Sequence, residues 1–144
     1  MTAPKQLVIP QDIYDSMVAY CMDGLPNEAC GFLGGRDGVV ERIYRLTNAA
    51  ASPVFYKPDD REMIAALRDI DDRDLEVSSI FHSHVATRAY PSPTDIREAH
   101  YPDSVFVIVS LEDRAQPYSK GYLIHKQDWR DPTGEVEEVE VVVR

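Results

Sequence analysis

The segment from Ser104 to Leu111 constrains the fold most, because its residues are almost all apolar. A run of this kind is typical of a strand that is covered on both faces. Two other stretches are predicted to be helical, since apolar side chains recur at helical spacing after Gln11 and again after the acidic start at residues 58–60. The combination predicts an α/β fold, with helices packed against a sheet.

Shorter segments are predicted to complete a mixed β-sheet flanked by helices. These segments are residues 7–9, 29–33, 39–46, 54–56, 77–81, 122–125 and 135–143. Asp37-Gly38 predicts a hairpin turn between the second and third of them. The last segment alternates valine with glutamate and is therefore expected near an edge of the sheet. No repeat or linker interrupts the pattern, so we expect a single domain over residues 1–144.

Composition argues against several classes of function. The formal net charge of −10 disfavours nucleic acid as a partner, because phosphate backbones are bound by Lys and Arg. Cys21 and Cys30 are the two cysteines, so neither a disulfide framework nor a Cys-x-x-Cys zinc site is expected. Two free thiols predict a reducing, cytoplasmic location. No apolar run approaches the length of a membrane span, and the N-terminus lacks an apolar signal core, so we expect no membrane partner and no export.

Residues 82–95 have the pattern of a metal site. His82 and His84 follow a predicted strand, and residues two apart on a strand point to the same face. Asp95 lies in the first turn of a third predicted helix, for which Ser92 is the expected N-cap. Two histidines and a carboxylate with one open position are the ligands of many catalytic zinc sites. The residues alone leave an alternative open, since Ser92-x-x-Asp95 also fits a capping box and the histidines could be hydrogen-bonded residues at a strand end.

A catalytic zinc site of this kind is typical of metal-dependent hydrolysis. That reaction also needs a general base that is not itself a ligand of the metal. Glu28 precedes the predicted strand at 29–33, so its carboxylate could project from a strand end towards the metal. Spacing alone does not separate Glu28 from Glu62, Glu76 or Glu98.

Glu28, the His82-x-His84 pair, Ser92 and Asp95 together resemble the signature of the JAMM (MPN-plus) metalloprotease family. The resemblance covers nearly the whole chain and implies one metallopeptidase domain with a cytidine-deaminase-like three-layer sandwich. It implies one zinc ion per chain, held by His82, His84 and Asp95. It also implies that Glu28 is the general base and that the Ser92 hydroxyl helps to hold the transition state.

The same resemblance implies a substrate class. The short chain is similar to the branch of the family that acts on small sulfur-carrier proteins, which share the ubiquitin-like fold and end in Gly-Gly. Segments 52–56 and 89–95 most resemble the member that frees cysteine from such a carrier during cysteine biosynthesis. We therefore expect hydrolysis of the peptide or isopeptide bond after the carrier's Gly-Gly, with release of a cysteine or a short extension. An extended tail could bind by strand addition beside the metal loop.

Three residues are predicted to bind substrate. A released amino acid has a free carboxylate, and Arg88 lies four residues after His84, where a guanidinium could bind that carboxylate bidentately. Lys57 is a competing candidate, and Tyr56 precedes it within the segment that carries the resemblance. The alternative for Arg88 is an exposed, solubilising charge.

Two other functions are compatible with the same fold: a non-catalytic scaffold that binds ubiquitin-like tails, and a peptidase associated with cell walls or phage tails. The intact ligand set argues against the first, and the absence of an export signal argues against the second. The C-terminal strand at 135–143 offers an edge that could pair in a homodimer.

Overall fold

The computed structural model describes residues 5–144, which form seven strands and three helices. Residues 1–4, part of the N-terminus expected to lack an export signal, lie outside the described residues. The elements, in chain order, are β1 (Gln6–Ile9), α1 (Gln11–Asp23), β2 (Cys30–Arg36), β3 (Val39–Leu46), α2 (Asp60–Asp72), β4 (Glu76–His84), α3 (Pro93–Arg97), β5 (Val105–Ser110), β6 (Tyr118–His125) and β7 (Glu135–Val143).

The predicted α/β fold with a mixed sheet is confirmed, but the sheet closes on itself. Its strand order is β1-β3-β2-β4-β5-β6-β7, and β1 also pairs in parallel with β7. The neighbours β4 and β5 are parallel as well, whereas β4 is antiparallel to β2. The layered sandwich is therefore replaced by a closed barrel of seven strands, because the short first strand joins the two ends of the sheet.

Two sequence-based predictions about strands are wrong. The last strand, β7, is not at an edge, because β6 pairs with one side of it and β1 with the other. That pairing occupies the edge through which a homodimer was expected to form. Residues 54–56 form a loop and not a strand; the Asn48 side chain donates to the Phe55 carbonyl and accepts from the N–H of Lys57, which follows the loop segment.

Successive residues of the central strands contact two apolar clusters on opposite faces of the sheet. Leu33, Phe81 and Val107 belong to one cluster, which includes Met17 and Cys21 of α1. Phe32, Ile80 and Phe106 belong to the other cluster, which includes Ala66 and Ile70 of α2. Strand β5 is buried along its whole length, as its apolar sequence predicts, and each large buried side chain contributes roughly 1.5–3 kcal/mol. The helices thus pack on both faces of the strands that lead to His82 and His84. Within residues 5–144, none of the helices has the length and hydrophobicity required to cross a membrane.

Candidate metal centre

His82 and His84 stand at the carboxyl end of β4, which is an inner strand. His82 lies opposite Cys30 of β2 and Ile108 of β5, so neighbours on both sides fix its backbone. The two histidines are 1% and 5% exposed, respectively. Because they are two residues apart on one strand, both rings lie on the same face, with centroids 5.0 Å apart.

Asp95 reaches these rings from the first turn of α3. Its Oδ2 atom lies 2.9 Å from Nε2 of His84, and its Oδ1 atom lies 3.2 Å from Nε2 of His82. Oδ2 also accepts a hydrogen bond from the backbone N–H of Ser92 at 2.9 Å, while the Ser92 hydroxyl accepts from the Asp95 N–H at 3.0 Å. One carboxylate therefore completes the capping box and also joins the two histidines in one cluster.

The chemistry of this donor set fits a divalent metal ion. One potential ligand atom from each of His82, His84 and Asp95 lies within 4.8 Å of the other two. The Nδ1 atom of His82 has no hydrogen-bond partner among residues 5–144, and Nε2 faces Asp95 Oδ1 at 3.2 Å without hydrogen-bond geometry, although the ring is buried. A buried nitrogen without a partner costs free energy, and coordination to a cation would remove that cost. Three such ligands suit a zinc site that keeps one position open.

The ring of His84 is oriented by the backbone of its own loop. Its Nδ1 atom lies 2.9 Å from the carbonyl oxygen of Arg88, which can only accept a hydrogen bond. The proton is therefore assigned to Nδ1, and Nε2 is the atom turned towards Asp95. Burial lowers the pKa of His84, but its hydrogen bonds to Asp95 and to the Arg88 carbonyl outweigh burial, so the pKa is raised overall.

Burial and charge set the ionisation of the two carboxyl groups at this site. Burial alone would raise the pKa of Asp95, but the adjacent rings of His82 and His84 lower that pKa well below its usual range. Asp95 is therefore an anion at neutral pH, as a metal ligand must be. Burial, together with the negative charge of Asp95, raises the pKa of Glu28 to about 8. A carboxyl group with such a pKa can gain and lose a proton near neutral pH.

Glu28 is held beside the end of β4 by hydrogen bonds between the adjoining chain segments. The Ser83 N–H donates to the carbonyl of Ala29 at 3.0 Å, and the Ala29 N–H donates to the Ser83 hydroxyl at 2.9 Å. Glu28 is 6% exposed, and its Oε1 atom has no hydrogen-bond partner in the described part of the chain. Its carboxylate is thus available for chemistry next to the histidine pair.

The structure also separates Glu28 from the other three glutamates that spacing allowed. The carboxylate of Glu62 binds the backbone N–H and hydroxyl of Thr47, at 2.6 and 2.9 Å. Glu76 begins β4, at the end opposite His84. Glu98 is an exposed residue at the end of α3. Burial and the charge of the nearby Asp95 both raise the pKa of Glu28.

The predicted substrate-binding residues lie around this cluster in different environments. The Tyr56 ring stacks on the His82 ring, with 4.5 Å between centroids and 24° between planes. Lys57 is exposed and lines a pocket of about 570 Å³, whose other lining residues are mainly apolar or aromatic, including Phe32, Phe55 and Tyr101. The exposed guanidinium of Arg88 lies 4.7 Å from the ring centroid of Tyr90 and pairs with no carboxylate among residues 5–144.

The loop that contains Arg88 is fixed by two tyrosines that the sequence did not indicate. The Tyr118 hydroxyl accepts a hydrogen bond from the Ala89 N–H at 3.1 Å, and the buried Tyr122 hydroxyl donates to the Ala89 carbonyl at 2.5 Å. Ala89 follows the residue whose carbonyl orients His84. These tyrosines lie on β6, about 30 residues later in the chain, so local patterns carry no signal of their role.

Lys126 is a third residue that sequence analysis missed. Its ammonium group donates to the carbonyl oxygens of Ile96, Arg97 and Ala99, at 3.1, 3.0 and 3.5 Å. The carbonyl of Trp129 is a fourth acceptor at 3.2 Å, so these four oxygens share the three N–H groups of Lys126. A lysine often satisfies the last carbonyls of a helix, and here the helix is the one that carries Asp95.

Comparison with known proteins shows consistent similarities. The sequence profile of prokaryotic homologs of the JAB domain matches residues 10–121. The CysO-cysteine peptidase of Mycobacterium tuberculosis is 42% identical over 120 residues, which cover 82% of each protein. A desampylase of Pyrococcus furiosus is 37% identical over 90 residues, which cover 62% of this chain and 64% of the relative. A solution structure of a protein from Desulfitobacterium hafniense superposes with a TM-score of 0.82 at 37% identity, covering 96% of this chain and 92% of that one.

Proposed function

Because this chain belongs to the family of prokaryotic homologs of the JAB domain, we propose that it is a zinc-dependent peptidase for ubiquitin-like sulfur-carrier proteins. Family membership confirms the resemblance inferred from the sequence. Relatives that match most of the chain are named as peptidases or as desampylases, so the chain is an enzyme of a hydrolase family. What we propose beyond this is that the enzyme depends on zinc, which bond it cleaves and which kind of carrier it acts on.

The observation that carries the proposal is the buried cluster of His82, His84 and Asp95 with the carboxyl group of Glu28 beside it. The three clustered residues would hold the metal. A zinc ion bound there would act as a Lewis acid towards the scissile carbonyl and the attacking water. Glu28 would remain free to move protons, because its carboxylate is outside the ligand cluster.

Glu28 and Ser92 would perform the remaining steps. The carboxylate of Glu28 would accept a proton from the attacking water and then deliver it to the departing amine. Burial and the charge of Asp95 raise the pKa of Glu28 to about 8 in the metal-free protein, and a bound cation would lower that pKa towards neutrality. The Ser92 oxygen accepts a hydrogen bond from the Asp95 N–H, so its own hydrogen is available for donation to the oxyanion that forms on the scissile carbonyl.

For the substrate, we propose a bond that follows the C-terminal Gly-Gly of a sulfur carrier, with a cysteine or a short extension as the leaving group. The name of the M. tuberculosis relative supports cysteine as that group. The guanidinium of Arg88 is exposed and could bind the free carboxylate of a terminal cysteine, and Lys57 is the competing cation. The aromatic pocket beside Tyr56 could receive an apolar side chain of the carrier tail.

We also propose the domain organisation, the number of zinc ions and the cellular location of the reaction. Residues 1–144 would act as one catalytic domain with one zinc ion. The reaction would serve cysteine biosynthesis in the cytoplasm, where the buried thiols of Cys21 and Cys30 stay reduced.

Intact-mass measurement on candidate carriers tests this function. The substrates are carriers that end in Gly-Gly-Cys and carriers joined through Gly-Gly to a lysine side chain. We expect a mass loss that corresponds to removal of everything after Gly-Gly, abolished by a chelator and restored by zinc. Glu28→Gln is the matched control, since it keeps the ligands and loses the base. A carrier that binds but is never cleaved would contradict the proposal and indicate a scaffold.

A further inference from the structure

Asn48 joins the loop that follows β3 to the backbone of Glu28. Its Nδ2 atom donates to the carbonyl oxygens of Glu28 and Phe55, at 2.9 and 3.0 Å. Its Oδ1 atom accepts from the backbone N–H groups of Ala50 and Lys57, each at 3.0 Å. A carboxamide has two N–H donors and two acceptor lone pairs, so every hydrogen-bonding position of Asn48 is used.

The same loop also binds the other polar group of the Glu28 backbone. The Glu28 N–H donates to the carbonyl of Ser52 at 2.9 Å. Glu28 precedes β2, which begins at Cys30, so no strand ladder fixes its main chain. Besides the Ala29–Ser83 hydrogen bonds, its position depends on residues 48–52, whose conformation Asn48 stabilises through the Ala50 N–H.

Asn48 also determines where Tyr56 lies. The two backbone groups on either side of Tyr56, the Phe55 carbonyl and the Lys57 N–H, both bond to the Asn48 amide. The Tyr56 ring in turn stacks on His82. One side chain therefore connects the Glu28 backbone with the ring that covers a metal-binding histidine.

We propose that Asn48 is a positioning residue, which orients Glu28 for proton transfer without itself touching metal or substrate. The inference rests on the proposed function, since it requires Glu28 to be the general base. A displacement of about 1 Å in a reacting group can lower the rate about 100-fold. Loss of the two Asn48 donors is therefore expected to lower kcat about 10- to 100-fold.

Asn48→Asp tests this role, because it keeps the size and both acceptors of the side chain. It replaces the donors with a carboxylate oxygen that repels the carbonyls of Glu28 and Phe55. We expect kcat to fall on the carrier that wild type cleaves, whereas KM and the Kd for Zn²⁺ alone stay within about threefold of wild type. Asn27→Asp is the matched control, since it adds the same charge next to Glu28 at a side chain without a hydrogen bond in residues 5–144. Its kcat should stay within about twofold of wild type.

A double-mutant cycle with Glu28→Gln separates positioning from a structural role. If Asn48 acts through Glu28, Asn48→Asp changes the residual rate of Glu28→Gln by less than about threefold. A structural role would instead lower that residual rate as much as it lowers the wild-type rate. If circular dichroism shows that Asn48→Asp is unfolded, Asn48→Ala removes the same donors without adding charge and replaces it in the cycle.

The outcomes distinguish this inference from the proposed function. An unchanged kcat, or a full loss in the Glu28→Gln background, overturns the role of Asn48 while leaving the peptidase intact. A wild-type protein that binds no Zn²⁺ and cleaves no carrier overturns the proposed function, and the role of Asn48 with it.

Discussion

The Oδ2 atom of Asp95 lies 2.9 Å from the Nε2 atom of His84, although the same oxygen caps the first turn of α3. The cluster of His82, His84 and Asp95 and the start of this helix thus depend on one carboxylate. A helix of five residues has little stability of its own, so its capping box and the contacts at its other end must hold it in place. Substitutions at either end of α3 should therefore change the affinity for Zn²⁺.

Asp95→Asn should abolish tight zinc binding while leaving the fold intact. The amide keeps an oxygen that can accept the Ser92 N–H, but it lacks the negative charge that a zinc ligand supplies. We expect the Kd for Zn²⁺ to rise by more than about 100-fold, as measured by isothermal titration calorimetry. Ser92→Ala is the comparison, because it removes the cap at a cost of about 1 kcal/mol but keeps all three candidate ligands, so it should weaken zinc binding far less than Asp95→Asn. Equal zinc affinities in wild type and Asp95→Asn would remove Asp95 from the ligand set.

Lys126→Met should weaken zinc binding from the other end of α3. The variant removes an ammonium group that binds three carbonyls at the end of this helix, so Asp95 becomes less well placed. Residues that orient metal ligands commonly contribute about 10- to 100-fold in affinity, and we expect a loss of about 10-fold here. Lys120→Met is the control, since within residues 5–144 the Lys120 ammonium group pairs only with the exposed Glu138 on β7, at 3.5 Å. The role of Lys126 is disproved if both variants bind Zn²⁺ equally well.

Glu28 should destabilise the metal-free protein as the pH rises. Its pKa in the folded protein is about 8, whereas an ordinary glutamate has a value near 4.5. Between these values the unfolded chain releases a proton that the folded chain retains, so the contribution of Glu28 to stability is complete below about pH 4.5 and is lost as the pH passes 8. Urea denaturation in chelator should show that the free energy of unfolding of Glu28→Gln rises relative to that of wild type between pH 5 and 8. We expect this relative rise to be about 2 kcal/mol, once residual solvent contact of Glu28 is allowed for. A difference that is independent of pH would show that the Glu28 pKa is not raised.

Arg88→Ala should discriminate between substrates that end in a free and an amidated cysteine. The guanidinium has no carboxylate partner among residues 5–144, and a bidentate bond to the substrate carboxylate would contribute about 1.5–3 kcal/mol. We expect KM to rise about 10-fold or more on the carrier with a free C-terminal cysteine and to change little on the amide. Lys57→Ala, measured in parallel, tests the competing cation. An equal effect of Arg88→Ala on both substrates would exclude carboxylate recognition by this residue.

The sequence predicts that His82, His84 and Asp95 lie close together, because each of them is placed by a local pattern. His82 and His84 are two residues apart on a strand, and Asp95 lies three residues after a helix cap. The closure of the barrel is not predictable in this way, since it depends on the pairing of Gln6 with Glu140 across nearly the whole chain. Asn48 and Lys126 escape prediction for a similar reason. Their roles arise from side-chain contacts with backbone groups of distant segments, and such contacts produce no periodic pattern in the sequence.

Zinc titration of the chelator-treated protein, with carrier cleavage followed by intact mass, tests the central claim most directly. Cleavage by wild type should rise in proportion to added zinc and stop rising at one ion per chain. Glu28→Gln should bind zinc with an affinity within about tenfold of wild type, yet cleave about 10²–10⁴-fold more slowly. Cleavage that proceeds without zinc, or near-normal turnover by Glu28→Gln, would contradict the account.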